Sequence, residues 1–170
     1  MAIATDGLRR CKKCQILYDN NSPNKGFCPA DGRQHERGGF NYQLSFRFAK
    51  PNTQSDWRRC KKCQAIFFNG MGQGRCAADV DARDPHTADM ARDFGVPHGD
   101  SETEHVQTGW EFCTKCNGLF YSRSNTPNSN HCTAGGEHAS SPEARRYNLV
   151  HGRPLPVLFD EGTELHPVNE

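Results

Sequence analysis

Leu8-Arg9-Arg10-Cys11-Lys12-Lys13-Cys14-Gln15-Ile16-Leu17-Tyr18 is written again as Trp57-Arg58-Arg59-Cys60-Lys61-Lys62-Cys63-Gln64-Ala65-Ile66-Phe67-Phe68, and a third time as Trp110-Glu111-Phe112-Cys113-Thr114-Lys115-Cys116-Asn117-Gly118-Leu119-Phe120-Tyr121. Each copy holds a Cys-x2-Cys pair, and after a further 12 to 15 residues a third cysteine follows: Cys28, Cys76 and Cys132. The nine cysteines are used three per copy, and the first of each triplet recurs at intervals of 49 and 53 residues. A period of that size marks a repeat architecture, in which one supersecondary unit is used several times. The chain therefore reads as a single pseudo-threefold domain, residues 1–170, with repeats at about 8–50, 57–99 and 110–152 and a closing segment at 153–170.

Three thiolates and one imidazole are the ligand set of a tetrahedral structural zinc ion, so each triplet needs one of the eight histidines. Cys28-Pro29-Ala30-Asp31-Gly32 leads to His35, and Cys132-Thr133-Ala134-Gly135-Gly136 leads to His138. The second copy has a longer insert and offers His86, His98 and His105. The aromatics Tyr42, Phe94 and Tyr147 of the closing strands give an internal ruler: His35 precedes Tyr42 by seven residues, His138 precedes Tyr147 by nine, and His86 precedes Phe94 by eight. His86 fits, while His98 aligns with His151 instead. The expected metal ligands are Cys11, Cys14, Cys28 and His35, then Cys60, Cys63, Cys76 and His86, then Cys113, Cys116, Cys132 and His138, for three zinc ions per chain.

Disulfides are the competing use of so many cysteines. An odd number, close Cys-x2-Cys pairs set among basic residues, and no apolar stretch after the first Met weigh against them. Composition explains the need for metal: hydrophobic residues make up only 34% of the chain, with 16 Gly and 10 Pro, so the core is thin. Thin-cored units are commonly held by metals. Structural zinc contributes about 10 to 16 kcal/mol in finger peptides, comparable to the whole net stability of a typical domain at about 5 to 15 kcal/mol.

The regular structure is strand and turn. Phe40 to Phe48 alternates Phe40, Tyr42, Leu44, Phe46 and Phe48 with polar residues, a period of two that puts the apolar side chains on one face. Ala65 to Phe68, Gly118 to Tyr121, Phe94 to Pro97 and Arg146 to Val150 are further short strands, with one more expected near each third cysteine. Thr87 to Asp93 is the one helix candidate. The fold class is all-β: three pseudo-repeats closed about a pseudo-threefold axis, β-trefoil-like or β-prism-like, because closure removes exposed strand edges. A linear array of zinc ribbons is the alternative.

The repeat, with its Trp and paired cysteines, Cys28-Pro29-Ala30-Asp31-Gly32 and His35, and Asn41-Tyr42-Gln43-Leu44, resembles an uncharacterised zinc-ligand repeat of bacterial and fungal proteins. The likeness runs from about Leu8 to Gly152. Leu8 in place of Trp and the insert after Cys76 depart from the pattern. The resemblance implies zinc and repetition and attaches no activity.

With 21 basic and 20 acidic residues the formal charge is +1, so no polyanion or membrane surface is demanded. No apolar run of about 18 residues is present to span a membrane. The start of the chain lacks a signal-peptide pattern, which predicts the cytoplasm, with non-classical secretion as the alternative. A Cys3His zinc is coordinatively closed, so no catalytic residue is assigned and the expectation is a non-enzymatic binding module. Asp79, Asp81, Asp84 and His98 read as a solvated insert rather than a second, open site. Lectin-like recognition of a carbohydrate or other surface ligand leads, with Trp57, Trp110, Tyr42, Tyr147, Asn41 and Asn148 as contacts; for both Trp residues, packing over the knuckle is the stronger reading. Nucleic-acid binding through Arg9, Arg10, Lys12, Lys13, Arg58, Arg59, Lys61 and Lys62, with Tyr18, Trp57, Phe67 and Phe68 stacking, is one alternative. A protein-interaction module, or an effector or toxin subunit, is the other. Substituting His86 lowers the zinc content of the purified chain. Metal analysis in which His98 or His105 has that effect instead moves the second ligand set.

Overall fold

Successive residues of a strand face opposite ways, and in this chain both faces of the short strands are apolar. The computed structural model describes residues 4–46, 51–78, 84–154, 156–158 and 165–167. Each repeat contributes three strands: β1 (Ala4–Cys11), β2 (Leu17–Asp19) and β3 (Arg37–Phe46); β4 (Thr53–Arg59), β5 (Ile66–Phe68) and β6 (Phe94–Pro97); β7 (Val106–Phe112), β8 (Leu119–Tyr121) and β9 (Tyr147–His151). Within a repeat the first strand pairs antiparallel with both others: β1 with β2 and β3, β4 with β5 and β6, β7 with β8 and β9. The register is the same each time, with Leu8 opposite Tyr42, Trp57 opposite Phe94 and Trp110 opposite Tyr147. The nine strands form one sheet that curls into a nearly closed barrel.

The three repeats join as a ring. Tyr42 of β3 pairs with His151 of β9, Phe94 of β6 with Phe46 of β3, and Tyr147 of β9 with His98 beyond β6. In every case the leading aromatic of one strand meets the residue four places beyond the equivalent aromatic of another. Ile16 bridges Phe120, Tyr18 bridges Ala65 and Phe67 bridges Gly118, so the short strands close a second circle. That circle is incompatible with a linear array.

Two apolar layers fill the ring, and the short strands lie between them. Leu17, Ile66 and Leu119 face one core with Leu8, Trp57, Trp110, Tyr42, Phe94 and Tyr147. Their neighbours Tyr18, Phe67 and Phe120 face the other, which holds all nine cysteines. In the first layer the Gln54 side-chain oxygen accepts from the Trp57 indole N–H at 3.0 Å and from the Tyr147 hydroxyl at 2.6 Å. Gln107 does the same for Trp110 at 3.1 Å and Tyr42 at 2.6 Å. At the third position Leu8, Thr5 and Phe94 stand for Trp, Gln and Tyr, so the indole N–H, the amide and the hydroxyl have vanished together. A buried polar group without a partner is costly, which makes the joint replacement consistent.

A second set of equivalent positions differs in all three copies. The residue before the first cysteine meets the last residue of the preceding repeat's short strand: Arg59 is 3.8 Å from the Asp19 carboxylate, Phe112 packs edge to face on Phe68 at 6.2 Å, and Arg10 lies over the Tyr121 ring at 5.4 Å. An ion pair, an aromatic pair and a cation–π pair are not interchangeable, so each seam fits its own two repeats.

Several expectations are corrected. Among the described residues there is no helix: Ala88 makes an isolated bridge to Cys60 and Met90-Ala91 is a turn, because Asp89 and Asp93 are drawn to Arg59 and Arg58. Among the described residues no strand forms next to the third cysteines, which sit in loops. β3 is described to Phe46, Phe48 lies outside the described residues, and Phe40 is 47% exposed, stacked on His151 rather than inside. Within the segment 153–170, β10 (Pro156–Leu158) pairs with β11 (Leu165–Pro167), and among the described residues the repeats join through β3, β6 and β9. Tyr147→Phe and Tyr42→Phe each lower the unfolding free energy by about 1 kcal/mol, and Phe94→Tyr also destabilises because Thr5 offers no amide acceptor; denaturant melts of the three variants check this.

Candidate metal centres

The paired cysteines sit on a turn built by the backbone. Cys11 N–H donates to the Ile16 carbonyl at 2.9 Å and Gln15 N–H to the Cys11 carbonyl at 2.7 Å, and the same two bonds recur at Cys60 and at Cys113. The residue after each second cysteine takes a left-handed conformation, with φ of 70° at Gln15, 66° at Gln64 and 65° at Asn117. That region is unusual for residues other than glycine, and the side chain helps to hold it: Arg10 donates to Gln15 and Arg59 to Gln64, each at 2.7 Å, and Asn117 donates to the Gly72 carbonyl at 3.1 Å.

The third cysteine and the histidine arrive on loops. Cys11, Cys14, Cys28 and His35 form one cluster, Cys60, Cys63, Cys76 and His86 the second, and Cys113, Cys116, Cys132 and His138 the third, with ligand atoms all within 4.8 Å of one another and every residue buried. The first and third sulfurs are 3.8, 3.7 and 3.8 Å apart, and the second sulfur lies 3.6, 3.4 and 3.6 Å from the histidine Nδ1. Metal–sulfur bonds of about 2.3 Å and a metal–nitrogen bond of about 2.0 Å give tetrahedral edges of about 3.8 and 3.5 Å. The clusters fit a tetrahedral zinc ion, and none of the nine cysteines is in a disulfide. His98 and His105 stand elsewhere: His98 lies edge-on to Tyr147, and His105 Nδ1 is 3.0 Å from the His151 carbonyl.

Electrostatics asks for a cation. Hydrogen bonds from the other two thiols hold Cys11, Cys60 and Cys113 far below the ordinary thiol range. Burial pushes Cys14 and Cys63 far above it, and bonds to Cys113 and Cys132 do the same to Cys116. Cys28 is pushed up to about 12, chiefly by Cys11. Burial favours a neutral His138, but the Cys113 and Cys132 thiols outweigh it and hold the imidazole at about 9. Three thiolates in one buried place repel, and a divalent ion is what allows all three to ionise.

Each histidine is oriented from outside its own cluster. Its ring stacks on an aromatic of its own repeat, Tyr18 at 4.7 Å, Phe67 at 4.5 Å and Phe120 at 4.8 Å. Its Nε2 reaches the carbonyl of the second cysteine in the next repeat: His35 to Cys63 at 3.1 Å, His86 to Cys116 at 3.0 Å, His138 to Cys14 at 2.9 Å. An Nε2–H donated there leaves Nδ1 free to face the metal. Nothing in the spacing of the ligands announced this circle.

The residues proposed from sequence as ligand contacts lie elsewhere. Trp57, Trp110 and Tyr42 are buried in the core, Asn148 is buried and bonded to Asp100, and Tyr147, also buried, reaches the wall of an open groove beside Phe68 and Phe112. They are large and amphipathic, and the barrel uses them for packing. Asn41 is exposed, with its side-chain oxygen accepting from Gly7 N–H at 2.6 Å. Of the acidic insert, Asp79 and Asp81 lie outside the described residues, and Asp84 and His98 belong to no metal-like group among those described. Among the described residues no helix is long and apolar enough to cross a membrane. No family model matches the chain, and neither a curated protein nor a solved structure matches it.

Loading these clusters displaces protons from Cys14, Cys28, Cys63, Cys76, Cys116 and His138, all held above their ordinary range, because metal ligands must be deprotonated. Zinc uptake near neutral pH therefore releases about two or more protons per ion, and affinity falls as pH falls; indicator titration in weak buffer measures both.

Proposed function

We propose that this protein is a non-enzymatic binding module held together by three zinc ions. The observation that carries this reading is the enclosure of the clusters: each has four buried donors and leaves no position for water or substrate, unlike a catalytic zinc. Zinc rather than a softer or redox-active ion suits a borderline set of three sulfurs and one nitrogen in tetrahedral array.

For the ligand, the seam between the second and third repeats is the best placed surface. Here the aromatic pair Phe68 and Phe112 floors an open groove of about 380 Å³ with Met71, 71% exposed, at its edge. Thr114, Glu143 and Arg145 are exposed around it. The amide nitrogen of Gln54 donates to no group among the described residues, because both known bonds of that side chain use its oxygen. An apolar floor with directional polar groups at the rim suits the C–H face and hydroxyls of a carbohydrate. The lectin-like reading is thus placed at this groove, which Tyr147 lines, rather than at the buried Trp57, Trp110 and Tyr42.

Nucleic acid is less well supported. The basic residues at the knuckles are largely occupied: Lys12 with Glu36 at 2.9 Å, Lys13 with Asp31 at 2.8 Å, Arg58 with Asp56 at 3.0 Å and Arg59 with Asp89 at 2.8 Å. Tyr18, Trp57 and Phe67, which would have to stack on bases, are buried. A glycan array followed by calorimetry tests the reading. Binding that resists salt and weakens about tenfold or more in Glu143→Ala/Arg145→Ala supports it, whereas retention on single-stranded DNA that falls steeply with salt replaces it with the nucleic-acid alternative.

A further inference from the structure

The ring of histidine-to-carbonyl bonds makes each metal centre depend on another. His35 is aimed by the Cys63 carbonyl, His86 by the Cys116 carbonyl and His138 by the Cys14 carbonyl, at 3.1, 3.0 and 2.9 Å. Each of these carbonyls belongs to a second cysteine, itself a ligand, and precedes the left-handed residue of its knuckle. The acceptor is therefore in place only while that knuckle is closed. The next peptide is used as well: the carbonyls of Gln64, Asn117 and Gln15 accept from Asp19, Phe68 and Tyr121, each in the preceding repeat, at 3.0 Å. Gly26 and Gly74, with φ of 79° and 59°, lie so close to the Cys63 and Cys116 carbonyls that a side chain at either would strike them. Every contact runs from one repeat to the next, and the third returns to the first.

Partners that orient a metal-bound histidine typically change metal affinity about 10- to 100-fold when lost. Opening one knuckle removes such a partner from the preceding site. The weakened site then loosens its own knuckle, on which the site before it depends. A linear chain of units would have an end at which this propagation stops, and a ring has none.

We propose that the three metal centres fill and empty as one unit, so that the chain exists as a metal-free form or a three-metal form with little between. This rests on the metal reading of the three clusters. It makes the ring a switch in the availability of zinc: the seams on which the proposed groove is built, including Phe68 against Phe112, exist only in the fully loaded form.

The test is native mass spectrometry of the full chain, stripped of metal under reducing conditions and given one and a half equivalents of Zn²⁺. Independent, equal sites put about three quarters of the chains in the one- and two-zinc states. The ring predicts that these states together hold less than about a fifth, with the remainder metal-free or carrying three. A statistical spread overturns the coupling and leaves the three zinc sites intact. Failure to bind zinc overturns both. Gly74→Ala adds a check that replaces no ligand side chain: in chelator competition it releases all three ions in one phase, about tenfold or more faster than the parent chain. One fast ion and two at the parent rate contradict the proposal.

Discussion

The repulsion among three buried thiolates in each cluster is the constraint on which the rest of the molecule depends. In the first cluster the neighbouring thiols favour ionisation of Cys11, while burial disfavours it at Cys14 and Cys11 disfavours it at Cys28. With a divalent ion all three become ligands, and loops with no regular structure of their own are fixed at Cys28, Cys76 and Cys132. The apolar layer around the metals is made largely of the cysteines, supplemented by Ile16, Tyr18, Ala65, Phe67 and Phe120. One of the two cores is thus built largely from the sulfurs that a metal ion would hold together. This is how a chain with 34% hydrophobic residues maintains an all-β fold.

The ring is regular where the metal requires it and varied where the repeats meet. Knuckle hydrogen bonds, left-handed residues and histidine acceptors recur in all three copies. The seams use an ion pair, an aromatic pair and a cation–π pair at equivalent places. Identical seams would allow a repeat to pair with the wrong neighbour or with another chain, and unlike seams disfavour this, as polar positions fix register in other assemblies. At the seam of the second and third repeats this variation puts the aromatic pair Phe68 and Phe112 on the floor of an open groove.

The ligand sets were legible because metal chemistry imposes spacing on sequence. The interval from His86 to Phe94 carried enough register to favour His86 over His98, since both neighbouring copies preserve the aromatic of the closing strand. The all-β class was legible too, from the alternation around Tyr42 and Leu44. Other features were hidden for physical reasons. Trp57 and Trp110 look the same in a sequence whether they pack or bind, and only the Gln54 and Gln107 acceptors reveal their burial. Thr87 to Asp93 has a composition compatible with a helix, but ion pairs to Arg58 and Arg59 hold it in turns. The circle of histidine bonds uses backbone carbonyls, which carry no residue signature, and Arg10 gives no hint that its partner is Tyr121, more than a hundred positions away.

Zinc K-edge absorption spectroscopy of the purified chain, with the metal content measured on the same sample, tests the metal-held ring most directly. Three zinc ions per chain, in one averaged environment of three sulfurs at about 2.3 Å and one nitrogen at about 2.0 Å, is the predicted result. Zinc absent from the reduced protein, or an average shell of mixed oxygen and nitrogen donors with sulfurs paired as disulfides, would contradict it.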